Sequence, residues 1–309
     1  MRNYGFVEIV LLLTVFIWGI NTPVVKIGLV YMPPILYNAL RLLLATVIAW
    51  SALLYSGTYR PLQDGDGRRI LTISLLGFVF FQVLFTAGLP QTTAGNASLV
   101  LALTPVFVAV TSRIFKGESI AGAVVAGIGV SLLGMAVVIF GSGKAVSLTG
   151  GHLAGALLIL LGQVGNGYYV VYSKDLLERY STYQITTYVM TLSALAFGVL
   201  AIPELSVWQW TEVPGVAWLS IAVSGTFGLC IGNLLWVWVL GKMNGTKASM
   251  FQNLSPIVSI AAGVLFLGES FGLLQLVGAG IVFAGLYLTR RERAAGKTII
   301  QGNKAVHSS

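Results

Sequence analysis

The sequence predicts an all-α polytopic membrane protein with ten transmembrane helices, and three observations predict it. Of its 309 residues, 56% are hydrophobic and only 9% are charged, whereas an ordinary soluble domain carries about 25% charged residues. The apolar residues occur in long runs of about the 20 residues that an α-helix needs to cross a bilayer. The connections between the runs are short, which leaves no room for a sizeable soluble domain on either side.

Ten apolar runs are the predicted spans. The first is too long for the core of a signal peptide, and more spans follow it, so we expect it to remain as a helix. The runs cover residues 7–28, 34–56, 70–90, 93–115, 120–141, 150–172, 184–203, 215–240, 246–267 and 271–289.

The basic residues predict the orientation of these spans. Those that follow spans two, four, six, eight and ten fall on the side of the N-terminus: Arg60, Arg68, Arg69, Arg113, Lys116, Lys174, Arg179, Lys242, Lys247, Arg290, Arg291, Arg293 and Lys297. An excess of basic residues marks the cytoplasmic side, so both termini are predicted to be cytoplasmic. The net charge of +8 is spread over loops and not gathered in one patch, so no nucleic-acid partner is expected. The expected partners are membrane lipid and a small-molecule substrate.

Two stretches of the chain are nearly the same, Thr104–Ser119 and Ser255–Ser270. At an offset of 151 residues, 11 of the 38 positions from 97 to 134 are identical without a gap. The chain is therefore predicted to contain two five-helix repeats, residues 5–143 and 148–290, and a disordered cytoplasmic tail, residues 291–309. Because five is odd, the second repeat enters the membrane from the opposite side, which is the inverted architecture of many secondary transporters. Two such halves can work as a monomer.

Polar and aromatic side chains inside the spans are the candidate substrate-binding residues. Polar groups are costly in lipid, so they are expected to face the interior of the bundle. Amides bind a solute by hydrogen bonds, and aromatic walls bury its apolar part. Intramembrane amides also tie helices together, and this alternative stays open for each of them. The candidates are Trp18, Asn21, Asn38, Arg41, Phe78, Gln82, Phe85, Gln163, Asn166, Asn233, Trp236, Gln252 and Asn253.

Two basic residues near the outer ends of the first spans have more than one interpretation. Arg41 can pair with a carboxylate of the substrate, extend to the outer interface, or hydrogen-bond to carbonyl groups. Lys26 is better explained as an interfacial anchor. Three tyrosines at the cytoplasmic end of span six are interpreted either as an interfacial belt or as cavity wall: Tyr168, Tyr169 and Tyr172.

Prolines and glycines mark candidate hinges and helix ends. Pro23, Pro105 and Pro256 are predicted to bend spans one, four and nine, because proline removes a helix hydrogen bond. In both repeats a Gly-Glu-Ser sequence follows the span. Its glycine is expected to end one helix, and its glutamate, Glu118 or Glu269, to meet the N-terminus of the next. The repeated glycines at 127, 129 and 134 and at 278, 280 and 285 are expected to form close helix contacts.

These motifs resemble the drug/metabolite transporter superfamily over about residues 5–290, and most closely its EamA family of metabolite exporters. The resemblance is carried by Trp18-Gly19, Lys26, the sequence Asn38-Ala39-Leu40-Arg41 and the Pro-x(11)-Gly-Glu pattern that ends spans four and nine. It implies export of amino acids or other small metabolites from the cytoplasm, across the plasma membrane of a bacterium or archaeon. Span six departs from the pattern, since Asn166-Gly167 stands where many members carry tryptophan.

Other functions fit the sequence less well. The predicted spans contain no cluster of His, Asp or Glu for an enzyme or a metal, and the chain has no phosphate-binding loop for an ATP-driven pump. No cofactor is expected. The runner-up is a drug efflux transporter, although such proteins often bind cations through a membrane carboxylate. With no aspartate in any predicted span, a facilitator or exchanger fits at least as well as a proton antiporter.

Overall fold

The computed structural model of the chain is all-helical, as predicted, and contains no strand among the residues that it describes. These are residues 4–117, 122–141, 151–206, 208–242, 254–285 and 287–288. Within them, seven helical segments are long and apolar enough to cross a membrane, one of which, Ala94–Lys116, is interrupted and forms two helices, and three apolar helices are shorter. The predicted tail at 291–309 lies outside the described residues.

The helices follow one another through short connections. They are α1 (Tyr4–Tyr31), α2 (Pro34–Ser56), α3 (Asp66–Gln91), α4 (Ala94–Leu101), α5 (Thr104–Lys116), α6 (Gly122–Phe140), α7 (Gly151–Leu176), α8 (Thr182–Leu200), α9 (Gly215–Val239), α10 (Ser255–Leu267) and α11 (Leu273–Gly285). Most of their ends lie within a few residues of the predicted spans.

The third span begins earlier than predicted, and this brings an aspartate into a helix. Asp66 is the first residue of α3, and its side chain is only 1% exposed. The carboxylate accepts hydrogen bonds from the Tyr180 hydroxyl at 2.9 Å and from the Arg179 guanidinium at 3.0 Å. The prediction that no span contains an aspartate is therefore wrong. Asp66 lies at the end of its helix and ties α3 to the segment after α7.

Replacing Asp66 by alanine is expected to destabilise the protein by about 1–3 kcal/mol, because the buried hydrogen bond from Tyr180 and the partly buried one from Arg179 are lost. The measurement is the melting temperature of the purified protein in detergent. Asp64→Ala is the matched control, since Asp64 is exposed and lies two residues away. Equal melting temperatures for the two variants would contradict this role of Asp66.

The prolines of the two repeated stretches begin helices and do not bend them. The fourth span is interrupted at Ala102 and Leu103, and α5 starts at Thr104 with Pro105 in its first turn. Pro256 occupies the same place at the start of α10. Since the first N–H groups of a helix have no intrahelical partner, proline there removes no hydrogen bond. The predicted loss of a hydrogen bond inside a helix does not apply at Pro105 and Pro256, and their role as hinges stays a prediction, whereas Pro23 lies inside the continuous helix α1.

The ends of these two helices agree with the prediction. Gly117 follows α5 with φ of 66°, and Gly268 follows α10 with φ of 63°. A left-handed residue of this kind terminates many helices, and glycine adopts it without steric cost.

A second feature recurs at the same offset. Residues Ile73–Val79 of α3 form a π-helical stretch, and so do residues Ser224–Ile231 of α9, which begin 151 positions later. π-Helical turns are rare and often lie at functional sites. The two stretches of the chain thus share an unusual backbone as well as residues.

The first helix of each half packs against the other half. Helix α1 packs mainly against α9 and α10, whereas α7 packs mainly against α3 and α5. These two sets are called here the α1 group (α1, α9 and α10) and the α7 group (α3, α5 and α7). Helices α6 and α11 meet through the repeated glycines: a Cβ on Gly134 would lie 2.5 Å from the Val282 nitrogen and 2.8 Å from the Gly278 oxygen.

The prediction for the repeated glycines is confirmed in part. Gly285 also meets the other helix, since a Cβ there would lie 2.7 Å from the Gly127 oxygen. Added Cβ atoms on Gly129 and Gly280 would meet nothing within 4 Å. The expectation of a close contact is wrong for these two residues, which face away from the helix pair.

Candidate functional site

A cavity of about 130 Å³ lies inside the bundle, between the α1 group and the α7 group. Its walls come from both halves of the chain and from the two helix interruptions. Ten of the sequence-predicted residues line it: Trp18, Asn21, Arg41, Phe78, Gln82, Phe85, Asn166, Asn233, Trp236 and Pro256. Residues that lie up to 238 positions apart in sequence are therefore brought together.

Two predicted residues lie outside the lining and tie helices together. The Asn38 amide donates hydrogen bonds from α2 to the Thr86 hydroxyl, at 2.9 Å, and to the Gln82 carbonyl, at 3.2 Å. The Gln163 amide donates from α7 to the Val100 carbonyl at 3.1 Å. Of the remaining candidates, Gln252 and Asn253 lie outside the described residues.

The lining repeats itself between the two halves. Phe78, Gln82 and Phe85 of α3 correspond, 151 positions later, to Leu229, Asn233 and Trp236 of α9, and all six line the cavity. On the first helices the offset is 148: Trp18, Asn21 and Thr22 correspond to Asn166, Tyr169 and Val170, and again all six line it. The cavity therefore lies where equivalent parts of the two halves face each other.

Sequence reasoning missed part of this lining. Tyr169 is only 4% exposed and lines the cavity, so for this tyrosine the cavity-wall interpretation holds. Thr22 and Val170 share helix faces with the candidates Trp18 and Asn166 and line the cavity too, whereas Leu229 was missed because it is neither polar nor aromatic. The 148-residue offset of Trp18 from Asn166 is the signal that would have identified Tyr169 as cavity wall.

Several polar atoms of the lining are held by the protein itself. The Trp18 indole donates to the Gly228 carbonyl at 3.1 Å, which joins α1 to α9. The Asn166 amide donates to the Thr104 hydroxyl at 3.2 Å, at the interruption between α4 and α5. The Asn233 amide donates to the Leu229 carbonyl within its own helix, at 2.7 Å. These bonds fix the orientation of the lining side chains.

Other polar atoms of the lining have no partner in the part of the chain that the structure describes. They include the side-chain oxygens of Asn21 and Gln82 and the Nε and Nη1 atoms of Arg41. A buried polar group without a hydrogen bond is costly, and each such group in a native structure calls for an explanation. A cavity that presents both free acceptors and free donors is suited to a solute that carries both.

Arg41 does not extend to the membrane surface. The residue is 1% exposed, and its guanidinium carbon lies 5.8 Å from the centre of the Tyr37 ring. Its Nε and Nη1 atoms do not hydrogen-bond to carbonyl groups. The geometry therefore argues against an interfacial position for Arg41 and leaves its Nε and Nη1 atoms without an acceptor among the described residues.

A charged cluster, called here the clasp, lies one helical turn beyond the cavity, at the end of the bundle where α1 terminates. It consists of Lys26, Glu269 and the backbone of residues 92–95. The Lys26 ammonium lies 2.6 Å from the Glu269 carboxylate and donates to the Thr92 carbonyl at 2.6 Å. The carboxylate also accepts the backbone N–H of Ala94 at 2.8 Å, in the first turn of α4.

The clasp corrects two expectations. Lys26 binds a carboxylate and a carbonyl and is 21% exposed, so it is not an interfacial anchor. Glu269 does meet the N-terminus of a helix, as predicted, but that helix is α4 of the other half and not the one that follows Glu269. Its repeat counterpart, Glu118, lies outside the described residues.

The chain is similar over nearly its whole length to known membrane transporters. The model of the EamA-like transporter family matches residues 5–140 and 153–291. A probable terminal-alkyne amino-acid exporter of Streptantibioticus cattleyicolor is 29% identical, over 91% of this chain and 92% of its own. A probable amino-acid metabolite efflux pump of Escherichia coli is 28% identical, over 90% and 92%.

Two further comparisons agree with these. An uncharacterized transporter of Archaeoglobus fulgidus is 28% identical, over 92% of this chain and 99% of its own. A solved crystal structure superposes with a TM-score of 0.66 at 17% identity, covering 92% of this chain and 96% of that one. The latter similarity concerns the fold alone.

Proposed function

The chain belongs to the EamA-like transporter family of multi-pass membrane proteins, and from that premise we propose that it exports a small amphipathic metabolite of the amino-acid class. One observation carries the proposal: the cavity between the α1 group and the α7 group has amide and aromatic walls supplied by both halves of the chain. Amides bind the polar part of such a solute, and the aromatic rings enclose its apolar part.

Transport proceeds in this proposal by alternating access between two inverted repeats, residues 5–143 and 148–290, with both termini in the cytoplasm. The seven long and three shorter apolar helices correspond one to one with the ten predicted spans, which supports this topology. The recurrence of the π-helical stretches and of the helix-starting prolines at an offset of 151 supports the repeats. The α1 group and the α7 group then rock against each other around the cavity.

Amino-acid-like solutes are favoured over hydrophobic cations. Two relatives carry names that describe amino-acid export. No carboxylate lines the cavity among the described residues, whereas Arg41 does. Because like charges repel, a cationic drug is a poor match for this lining.

The melting temperature of the purified protein in detergent tests the proposal. A panel of amino acids, amines, sugars and nucleosides is added, and a ligand at about 100 times its Kd stabilises the folded state by about 2.7 kcal/mol. We expect amino acids to raise the melting temperature, and Gln82→Ala or Asn233→Ala to reduce that rise. Gln91→Ala is the matched control, because Gln91 is an exposed amide at the end of the same helix as Gln82.

The alternative gives a different result. If hydrophobic cations alone raise the melting temperature and are transported into liposomes, the protein is a drug efflux transporter and the amino-acid proposal is wrong. If amino acids bind equally well to all three variants, they bind outside this cavity.

A further inference from the structure

We propose that Arg41 is the anion-binding subsite of the cavity, so that a solute needs one carboxylate to be bound. This inference rests on the proposed function and names the group by which the substrate is recognised. It concerns a buried cation whose Nε and Nη1 atoms find no acceptor among the described residues.

The environment of Arg41 is costly for a cation. The residue is 1% exposed within a span, and no carboxylate of the described residues lies within ion-pair distance of it. Charged side chains inside membrane spans are expensive and commonly belong to a substrate or ion pathway. The Tyr37 ring at 5.8 Å offers only a weak cation–π contact. A buried charge without a partner in the protein is explained by a ligand that binds reversibly.

The unpaired atoms of Arg41 indicate which partner it takes. Its Nε and Nη1 atoms are buried and have no acceptor in the described structure, while the residue lines the cavity. A guanidinium matches the planar geometry of a carboxylate better than any other side chain does. The free oxygens of Asn21 and Gln82 line the same cavity and accept hydrogen bonds from other parts of the solute.

Arg41 also breaks the symmetry of the lining. Helices α2 and α8 begin at residues 34 and 182, which are 148 positions apart, and the first helices α1 and α7 correspond at the same offset. At this offset Val189 of α8 is the equivalent of Arg41. Val189 is fully buried and apolar. Among the described residues the cavity therefore has one anion subsite, which favours a solute with a single carboxylate.

Three solutes with the same isobutyl group test the requirement for a carboxylate on the unaltered protein: L-leucine, 4-methylpentanoate, which lacks the amino group, and isoamylamine, which lacks the carboxylate. We expect leucine and 4-methylpentanoate to raise the melting temperature and isoamylamine to leave it unchanged.

Variants of Arg41 test whether the binding of the carboxylate depends on this residue. Arg41→Gln is expected to weaken leucine binding about ten- to a hundredfold, as is usual for loss of a charged hydrogen-bond donor. Arg41→Lys keeps the charge and should bind leucine better than Arg41→Gln does. Arg68→Gln is the control, because Arg68 is exposed at the start of α3. If Arg41→Gln does not fold, the comparison of solutes on the unaltered protein still decides.

Three results would overturn the inference, and they differ in what else they overturn. If isoamylamine stabilises the protein as well as leucine does, Arg41 is not a carboxylate site, while the proposed function stands. If sodium chloride gives the same rise as leucine in the unaltered protein and no rise in Arg41→Gln, Arg41 holds an inorganic anion instead. If none of the three solutes binds and hydrophobic cations do, the proposed function fails together with the subsite.

Discussion

Replacing Glu269 by glutamine is expected to open the cavity at the end where α1 terminates. The Glu269 carboxylate, 11% exposed, lies 2.6 Å from the Lys26 ammonium and accepts the backbone N–H of Ala94 at 2.8 Å. Lys26 lies on α1 and Glu269 follows α10, both helices of the α1 group, whereas Ala94 starts α4, which lies outside both groups and packs against α10 as well as α7. The clasp therefore holds α1, α4 and the end of α10 together at this end of the bundle, and its loss should loosen the closure there.

The clasp lies close to the cavity on both of the helices that it joins. Lys26 follows the lining residue Thr22 by four positions on α1, and Ala94 precedes the lining residue Ser98 by four positions on α4. Four residues of helix span about 6 Å. In the proposed orientation this is the outer end, so the structure has its cavity closed towards the outside.

Glutamine keeps the size of the side chain and removes the charge, so the ion pair is lost and the remaining hydrogen bonds weaken. Charged hydrogen bonds contribute about 1.5–3 kcal/mol each, and a shift of 1.4 kcal/mol changes a population ratio tenfold. We expect the outward-open state to become about ten times more populated or more. Net export should slow, because a transporter that stays open outwards returns to the cytoplasmic side less often.

Cysteine labelling measures this opening. The chain has one native cysteine, Cys230, which is buried and is replaced by alanine. Ser98→Cys then places a single thiol in the cavity wall. In intact cells, a maleimide that does not cross the membrane should label this thiol faster in the Glu269→Gln variant than in its parent.

The control for this experiment is Glu212→Gln, since Glu212 is an exposed carboxylate in the connection before α9. It should leave the labelling rate unchanged. Equal rates for Glu269→Gln and its parent would show that the clasp does not hold this end closed.

Exchanging the charges of Lys26 and Glu269 distinguishes the effect of their ion pair from the effect of the hydrogen bonds that the Glu269 carboxylate accepts from the backbone. Lys26→Glu combined with Glu269→Lys restores an ion pair, but an ammonium cannot accept the N–H groups of Ala94 and Gly95, which now bond to the carboxylate at 2.8 Å and 3.4 Å. If the ion pair alone closes this end, the double variant is labelled as slowly as the parent. We expect it to remain faster, because a cation next to a helix N-terminus is unfavourable.

The sequence predicted the cavity better than it predicted the clasp, for a physical reason. Polar residues in lipid-facing positions are so costly that helical spacing alone places Asn21, Gln82 and Asn233 towards the interior. The clasp joins Lys26 to Glu269 across 243 positions. Each of these residues has an ordinary local explanation, as an anchor or as a helix cap, and only the packing of α1 against α10 brings them together.

The interruption of the fourth span is a second feature that the sequence alone does not predict. A proline within an apolar run indicates either a bend or a new start, and the residues around Pro105 fit both. The interruption at Ala102 and Leu103 shows that a new helix starts before Pro105. Ala102 also lines the cavity. Backbone conformation here follows from tertiary packing, which overrides the continuous helix that the hydropathy predicts.

The second large effect is expected at the crossing of α3 and α7, where Gly88→Ala should strongly destabilise the protein. A Cβ on Gly88 would lie 2.5 Å from the Gly155 carbonyl oxygen, and a Cβ on Gly155 would lie 2.5 Å from the Gly88 oxygen. The obstacle on each side is backbone, so no flexible side chain can move away. Overpacking costs about 1–3 kcal/mol, and here the helices themselves must separate, so we expect the upper end of that range.

The melting temperature in detergent measures this effect, with Gly198→Ala on α8 as the matched control, because a Cβ there meets nothing within 4 Å. Equal melting temperatures for the two variants would show that α3 and α7 do not rely on this crossing.

Gly88 and Gly155 both lie in the α7 group, so their contact holds one body together and does not close the cavity. Gly88→Ala should therefore lower stability without speeding the labelling of Ser98→Cys in the folded fraction, whereas Glu269→Gln should speed labelling at a smaller cost in stability. If the two variants behaved alike, the division of the bundle into two bodies would be wrong.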